Sequence, residues 1–171
     1  CTYGAFGAFS TGIGSTDLAA AIATGELWFK VPETIKFVLS GSFGKGVYSK
    51  DVILKAISMI GVDGALYKAM EFVGDTIKDM SMEARMTITN MAIEAGGKNG
   101  VIAFDETTKK YLEGRLKDTS EYTVFESDAD ADFCQTVEID CAALEPMVAK
   151  PHLPSNGATI TECAGLEMDQ A

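Results

Sequence analysis

The stretch that most constrains the fold is residues 81–97, SMEARMTITNMAIEAGG, which predicts a single helix with two unlike faces. One face is apolar at helical spacing and consists of Ala84, Ile88, Met91, Ala92 and Ala95. The other face is polar and consists of Glu83, Thr87, Asn90 and Glu94. Ser81 can cap the start of this helix, and the Gly96–Gly97 pair can provide a left-handed end.

Asn90 and Glu94 are four residues apart, so an α-helix would place their side chains one above the other on its polar face. A carboxylate beside an amide can hold a proton, a metal-bound water or a substrate hydroxyl. The same pair is also typical of a hydrated helix surface without a chemical role. Spacing alone favours the hydrated surface and leaves the chemical interpretation open.

The rest of the chain predicts strands that alternate with helices. The predicted strands cover residues 34–39, 100–105 and 136–141. The other predicted helices cover residues 15–24, 50–60, 65–73 and 107–116. Ser49 and Thr107 are the predicted caps of the helices at 50–60 and 107–116. This alternation favours an α/β fold with a parallel or mixed sheet.

The charge of the chain limits its partners. Because the net charge is −11, we expect neither nucleic acid nor an anionic membrane surface as a partner. No apolar run approaches the roughly 20 residues that span a bilayer, and nothing resembles a secretion signal, so we expect a cytoplasmic protein. Arg85 and Arg115 are the only arginines, so a clamp for substrate carboxylates must come largely from elsewhere.

Two patterns suggest binding sites but lack a required residue. The Gly-x-Gly at 12–14 precedes a helix, as in phosphate-binding loops, but Asp17 stands where the third glycine belongs. Close backbone packing is therefore the better interpretation of these glycines. The alternating aspartates at 128–132 resemble the start of a calcium loop, but Phe133 occupies its glycine position. A solvated acidic turn is the favoured interpretation.

The cysteines and the single histidine form no metal-ligand pattern. Cys1, Cys134, Cys141 and Cys163 contain no C-x-x-C pair and have no zinc-like spacing relative to His152. Cys134 and Cys141 could pair across a turn, although well-spread cysteines in a non-secreted chain are more typical of free thiols. His152 has no nucleophile or carboxylate paired to it in sequence, so a structural or surface role is favoured over a general base.

Several motifs, in order along the chain, resemble the aconitase superfamily. Residues 87–96 match its TxxNMxxExG segment, and residues 1–17, CTYGAFGAFSTGIGSTD, resemble the stretch after the Asp-Ser-His-Thr motif in large subunits of 3-isopropylmalate dehydratases and homoaconitases. Residues 150–156, KPHLPSN, continue the resemblance, which covers essentially the whole chain. It implies a fragment of an aconitase-like, three-layer α/β/α fold. The implied segments are the end of a first domain (1–45), a compact middle domain (46–120) and a return segment leading to the cluster-binding domain (121–171).

The resemblance also implies an activity and its site. The implied enzyme is a hydro-lyase of leucine biosynthesis that interconverts 2-isopropylmalate and 3-isopropylmalate by dehydration and rehydration. Its 4Fe–4S cluster would take cysteine ligands from outside this chain, which would itself hold no metal ligand. Glu94 would be catalytic and hydrogen-bond the iron-bound hydroxyl or water. Asn90 would support the cluster and its bound ligand without ligating iron.

A partner and several alternatives belong to the same resemblance. A small subunit would carry a swivelling domain with the general-base serine, in a heterodimer or heterotetramer. By the family pattern, the Asp-Ser-His-Thr and Gly-Ser-Cys-Thr-Asn segments should lie just outside this chain. Homoaconitase and dimethylmalate dehydratase large subunits are alternative identities. A catalytically inert docking fragment is another.

Overall fold

The computed structural model describes residues 2–116 and 122–167 and contains a four-stranded parallel sheet. Its strands, in chain order, are β1 (Thr34–Ser40), β2 (Ala69–Val73), β3 (Asn99–Val101) and β4 (Gln135–Asp140). Their order across the sheet is β3-β2-β1-β4. The connection from β3 to β4 therefore returns past β1, and in such sheets a crevice opens beyond the carboxyl ends of the strands. The parallel sheet confirms the predicted α/β fold.

Helices connect these strands, and a short hairpin follows them. The helices are α1 (Ser15–Thr24), α2 (Ser49–Ile60), α3 (Asp75–Lys78), α4 (Met82–Asn90) and α5 (Glu106–Leu112). Two 3-10 helices cover Thr2–Phe6 and Met91–Ala95. The hairpin pairs β5 (Met147–Ala149) with β6 (Gly157–Thr159). Within the described ranges, no helix combines the length and the apolar character needed to cross a membrane.

The core joins the sheet to α2 and α4. Along β1, Ile35, Phe37 and Leu39 are buried and their neighbours are partly exposed, which confirms the strand predicted over 34–39. The rings of Phe37 and Phe72 stack with centroids 5.0 Å apart. Strand β4 shows the same alternation, with buried Val137 and Ile139, as predicted. Aromatic and branched side chains from adjacent strands thus form the centre of the molecule.

The helix predicted over residues 65–73 is wrong. Residues 69–73 form β2, which lies between β1 and β3, and the residues before it form turns. The spacing of Leu66, Met70 and Val73 imitates a helical stripe, but Leu66 is 64% exposed. A strand in the middle of a parallel sheet is covered on both faces, so its sequence lacks an alternating pattern. Pairing with β1 overrides the local helical pattern here.

The start of α2 differs from the prediction by one residue. Ser49 is the first helical residue, and Tyr48 occupies the cap position. Asp51 is fully buried, and its carboxylate accepts hydrogen bonds from the Tyr48 and Met147 N–H groups, both at 2.7 Å. This carboxylate therefore anchors the hairpin to α2.

The strand predicted over 100–105 is shorter in the structure, where β3 covers only Asn99–Val101.

The sheet takes strands from all three predicted segments. β1 belongs to residues 1–45, β2 and β3 belong to 46–120, and β4 belongs to 121–171. The boundary between the second and third segments lies outside the described residues, and the division into domains stays a prediction. The aspartates within 128–132 lie in an exposed turn, in agreement with the predicted acidic turn.

Candidate active site

The predicted helix over 81–97 consists of two helical types joined end to end. α4 begins after Ser81, whose hydroxyl accepts a hydrogen bond from the Ala84 N–H at 3.3 Å. After Asn90 the chain tightens into the 3-10 helix Met91–Ala95, which ends at Gly96 with φ of 80°. Both predicted end signals are confirmed, while the prediction of one continuous α-helix is wrong. Such tightening is common at the carboxyl end of an α-helix.

Asn90 and Glu94 are both exposed, as is Ile93 between them. Asn90 is the last residue of α4, and Glu94 lies within the 3-10 helix. Residues four apart are rotated by about 40° in an α-helix and by about 120° in a 3-10 helix. The structure therefore places both side chains on one exposed segment, without the predicted stacking of one above the other.

The hydrogen-bonding groups of this pair are available for a ligand. Among the described residues, no hydrogen bond or salt bridge involves the side chain of Asn90 or Glu94. An amide can donate and accept, whereas an ionised carboxylate only accepts. A ligand hydroxyl beside this segment could therefore donate to Glu94 and accept from Asn90.

The first 3-10 helix packs against the inner side of this segment. The hydroxyl of Thr89 donates to the carbonyl of Thr2 at 3.4 Å. The carbonyl of Gly4 accepts from the Ile102 N–H at 2.9 Å. A Cβ atom at Gly4 would lie only 1.7 Å from the carbonyl oxygen of Gly100, so a side chain is excluded at this position. Residues 2–6 are thus fixed immediately beside Asn90.

The close packing predicted for the glycines at 12–14 does not occur. A Cβ atom at Gly12 would meet no atom within 4 Å, and one at Gly14 would meet only the Asp17 carboxylate at 3.4 Å. The absence of a side chain is required at Gly4 instead. Gly14 is the residue that precedes α1.

A buried ion pair fixes the inner side of α4. Arg85 is 0% exposed, and its Nη1 and Nη2 atoms donate to the two carboxylate oxygens of Asp105 at 2.8 and 2.7 Å. Nη2 also donates to the carbonyl of Ile77 in α3 at 3.0 Å. Asp105, and not the predicted Thr107, caps α5 and accepts from the Thr108 N–H at 3.0 Å. The pair therefore joins α3, α4 and α5.

The electrostatics of this pair follow from its surroundings. Burial raises the pKa of Asp105, but hydrogen bonds from Arg85 and Thr108 outweigh this effect and hold the pKa below its usual range. Sequence reasoning missed the pair because a charged residue in a helix ordinarily lies at the surface. A signal was present, since Arg85 shares a helical stripe with Met82, Thr89 and Ala92, and all four are buried.

Neither arginine provides a free clamp for carboxylates. Arg85 is engaged with Asp105. The Nη1 atom of Arg115 donates to the carbonyl of Tyr111 at 2.7 Å, and its guanidinium lies 4.2 Å from the centre of the Tyr111 ring. The described residues therefore offer no ready bidentate arginine to a dicarboxylate.

The cysteines and the histidine lie apart from each other. No group of three or more His, Cys, Asp or Glu residues suited to a metal ion occurs within 2–116 and 122–167. Cys134 and Cys141 flank the two ends of β4 and are free, as is Cys163, which confirms the free-thiol interpretation for these three. Cys1 lies outside the described residues. His152 is exposed in the loop between β5 and β6.

A cavity of about 280 Å³ lies beyond the carboxyl ends of β1 and β2. It is lined by Gly41, Tyr48, Thr76 and Ser81, among others. The cavity therefore contacts the beginning of α4, whereas the candidate pair lies at the other end of that helix. The cavity and the candidate pair are separate features of the surface.

Comparison with known proteins gives a family and close relatives. The family model for aconitase (aconitate hydratase) matches residues 1–171. A protein of Syntrophus aciditrophicus named 3-isopropylmalate dehydratase large subunit is 59% identical over 170 residues, which are 99% of this chain and 40% of the relative. Relatives of the same name from Clostridium kluyveri and Halothermothrix orenii are 55% and 58% identical over 99% and 100% of this chain. The chain spans 40% of the length of each of these relatives. With a match along its full length, the chain belongs to the aconitase family.

Proposed function

We propose that this chain is part of the large subunit of a hydro-lyase that interconverts 2-isopropylmalate and 3-isopropylmalate. The observation that carries the proposal is the 55–59% identity, over essentially the whole chain, to proteins named 3-isopropylmalate dehydratase large subunit. The reaction removes water across a carbon–carbon bond and adds it back in the opposite sense. Because the chain spans 40% of those relatives, the proposal concerns the larger protein.

Glu94 is the proposed catalytic residue of this chain. Its carboxyl group is exposed and has no hydrogen-bond partner among the described residues, so it can hydrogen-bond the substrate hydroxyl, as a donor when protonated and as an acceptor when ionised. In dehydration, protonated Glu94 gives its proton to the oxygen as the carbon–oxygen bond breaks, and water leaves. In hydration, the same carboxylate takes a proton from the incoming water.

Asn90 is the proposed orienting residue. It ends α4, which the Arg85–Asp105 pair fixes from within and which the Thr89–Thr2 hydrogen bond joins to the first 3-10 helix. Its amide can donate to one oxygen of a ligand while Glu94 accepts from another. A helix end that is held on two sides can keep such an amide in place during the reaction.

The proposal includes a 4Fe–4S cluster, which supplies a Lewis-acidic iron to the substrate hydroxyl when it is bound. The described residues contain no group of three or more His, Cys, Asp or Glu side chains suited to hold a metal ion, and we propose that the thiolate ligands of the cluster belong to another part of the larger protein. The side chains that are present fit a supporting role, because an amide and a carboxylate are hydrogen-bonding partners for a ligand of the iron. Asn90 and Glu94 would therefore surround the bound oxygen without holding the cluster.

The proposal also includes a small subunit, in keeping with relatives that are named large subunits. Proton abstraction from carbon needs a base, for which we propose a serine of the small subunit. The two substrate carboxylates need cationic partners, and both arginines of this chain already have partners within it. Residues of the small subunit and of the remaining large subunit are proposed to supply them.

The test uses the intact large subunit, reconstituted anaerobically with iron and sulfide together with its small subunit. Ultraviolet absorbance follows the unsaturated intermediate with 3-isopropylmalate, and then with the substrates of homoaconitase and dimethylmalate dehydratase. The proposal expects cluster-dependent turnover of 3-isopropylmalate. Turnover of only another acid would refute the substrate assignment. No turnover with any acid, despite a complete cluster, would favour an inert docking role.

A further inference from the structure

The central part of helix α1, Leu18–Ala23, is apolar around its whole circumference. The helix sequence, STDLAAAIAT, contains six consecutive uncharged apolar residues, Leu18–Ala23. Six successive residues of an α-helix cover more than one full turn, so they point in every direction around the axis. No residue of α1 is buried, and no other helix or strand in the described part of the chain packs extensively against it.

The residues that follow α1 extend the same exposed apolar surface. Ile22 within the helix is 77% exposed, and Trp28 and Val31 after it are each 85% exposed. A cleft of about 210 Å³ separates this part of the chain from Tyr67 and Lys98 at the edge of the α/β unit. We call the set formed by α1 and residues 27–31 the α1 segment.

Physical chemistry restricts where such a segment can reside. Large contiguous apolar patches are rare on monomeric proteins and ordinarily mark interaction surfaces. A helix that is apolar on all sides is ordinarily found inside a large protein or within a membrane. With 10 residues, α1 is about 15 Å long, about half the hydrocarbon thickness of a bilayer. The interior of a larger protein is therefore the environment that fits.

We propose that the α1 segment is an internal element of the complete large subunit, enclosed by the part of that polypeptide that lies outside the present chain. This inference rests on the proposed function, which makes the chain part of a longer large subunit. About three-fifths of the length of the relatives lies outside the match and is available to enclose the segment. The part of the enclosing surface that faces Leu18–Ala23 is apolar, because these side chains offer no charge or hydrogen bond to a polar partner.

The all-round apolar character favours this occupant over two others. A small subunit or a second copy of the chain would cover the segment from one side and leave its opposite side in water. Domains of one polypeptide can enclose a helix from several sides. The cleft beside Tyr67 and Lys98 leaves room for side chains of the enclosing residues between the α1 segment and the α/β unit.

The experiment measures thiol labelling at two positions on opposite sides of α1. Ala20→Cys and Ile22→Cys lie about 200° apart around the helix axis. Each is introduced into the complete large subunit, and alkylation at each position is followed by peptide mass spectrometry, with and without the small subunit. The same variants in denaturant give the rate of a fully accessible thiol. Lys78→Cys, at a side chain that is 75% exposed, gives the rate at an exposed helical position.

We expect both cysteines to be protected about 100-fold or more in the isolated, monomeric large subunit, because labelling then requires local opening. Rapid labelling at either position would refute enclosure. Protection that arises only with the small subunit, or only in a dimer, would also refute it and would identify the other occupant. Turnover of 3-isopropylmalate by the unmodified complex tests the proposed function separately, because that measurement does not depend on α1 accessibility.

Discussion

Replacing Asp105 by asparagine should destabilise the protein by about 3 kcal/mol. The substitution removes the negative charge that faces Arg85, which is 0% exposed and cannot turn to water. Removing one member of a buried pair typically costs about 3–5 kcal/mol. The Asp105 side chain is 35% exposed, so water can replace part of what is lost, and the lower end of that range applies.

Two further variants separate the charge from the helix cap. Asparagine caps a helix about as well as aspartate does, so Asp105→Asn should leave the start of α5 intact. Asp105→Ala removes both functions and should cost about 1 kcal/mol more. Arg85→Met replaces the buried cation with an apolar chain and leaves Asp105 partly in water. Its cost should therefore be smaller than that of Asp105→Asn, about 1–2 kcal/mol.

The assay is equilibrium urea unfolding at pH 7, followed by circular dichroism, with the denaturant slope compared between variants. An unchanged slope allows the shift in midpoint to be read as a change in the free energy of unfolding. A loss below about 1 kcal/mol for Asp105→Asn would refute the claim that the pair fixes α4. A larger loss for Arg85→Met than for Asp105→Asn would also contradict the reasoning.

Three other predictions concern stability. The pKa of Asp105 is lower in the folded state than in the unfolded state, where it is near 3.8. The ionised Asp105 carboxylate therefore contributes to the stability of the folded state above about pH 4, and this contribution is lost as the pH falls through the folded-state pKa. In urea titrations, the stability difference between wild type and Asp105→Asn should accordingly shrink below about pH 4. Gly4→Ala should cost about 3 kcal/mol or more, because its Cβ would overlap a backbone carbonyl, whereas Gly12→Ala, with open space around it, should change the urea midpoint little. Phe72→Ala should lower the free energy of unfolding by about 3–5 kcal/mol, because Phe72 is buried in the core. Phe125→Ala, at a residue 75% exposed, should lower it by less than about 0.5 kcal/mol. Equal losses for Gly4→Ala and Gly12→Ala, or for Phe72→Ala and Phe125→Ala, would contradict the assigned packing.

Local sequence signals predicted the elements whose ends or faces are determined locally. The alternation in β1 and β4 appears in the sequence because one side of each strand is buried. The Ser81 cap and the left-handed Gly96 are properties of a few adjacent residues, and both were predicted correctly. Helix α1 ends at Gly25 for the same reason.

The features that depend on distant residues could not be predicted in the same way. Strand β2 is a strand because β1 and β3 pair with it, and its own apolar run fits a helix equally well. The burial of Arg85 depends on Asp105, 20 residues further along the chain. The tightening after Asn90 altered the geometry of the candidate pair, although both residues lie on the exposed side as predicted. Their role in catalysis stays a prediction.

Turnover by Glu94→Gln in the complete, cluster-loaded complex tests the proposed chemistry most directly. Glutamine keeps the size of the side chain but cannot exchange a proton, so we expect kcat with 3-isopropylmalate to fall about 10²–10⁴-fold. Cluster absorbance and thermal midpoint should be unchanged, because Glu94 is exposed and has no partner among the described residues. Glu83→Gln, on the same polar face, is the matched control and should retain the wild-type rate. A wild-type rate for Glu94→Gln with a complete cluster would contradict the assignment.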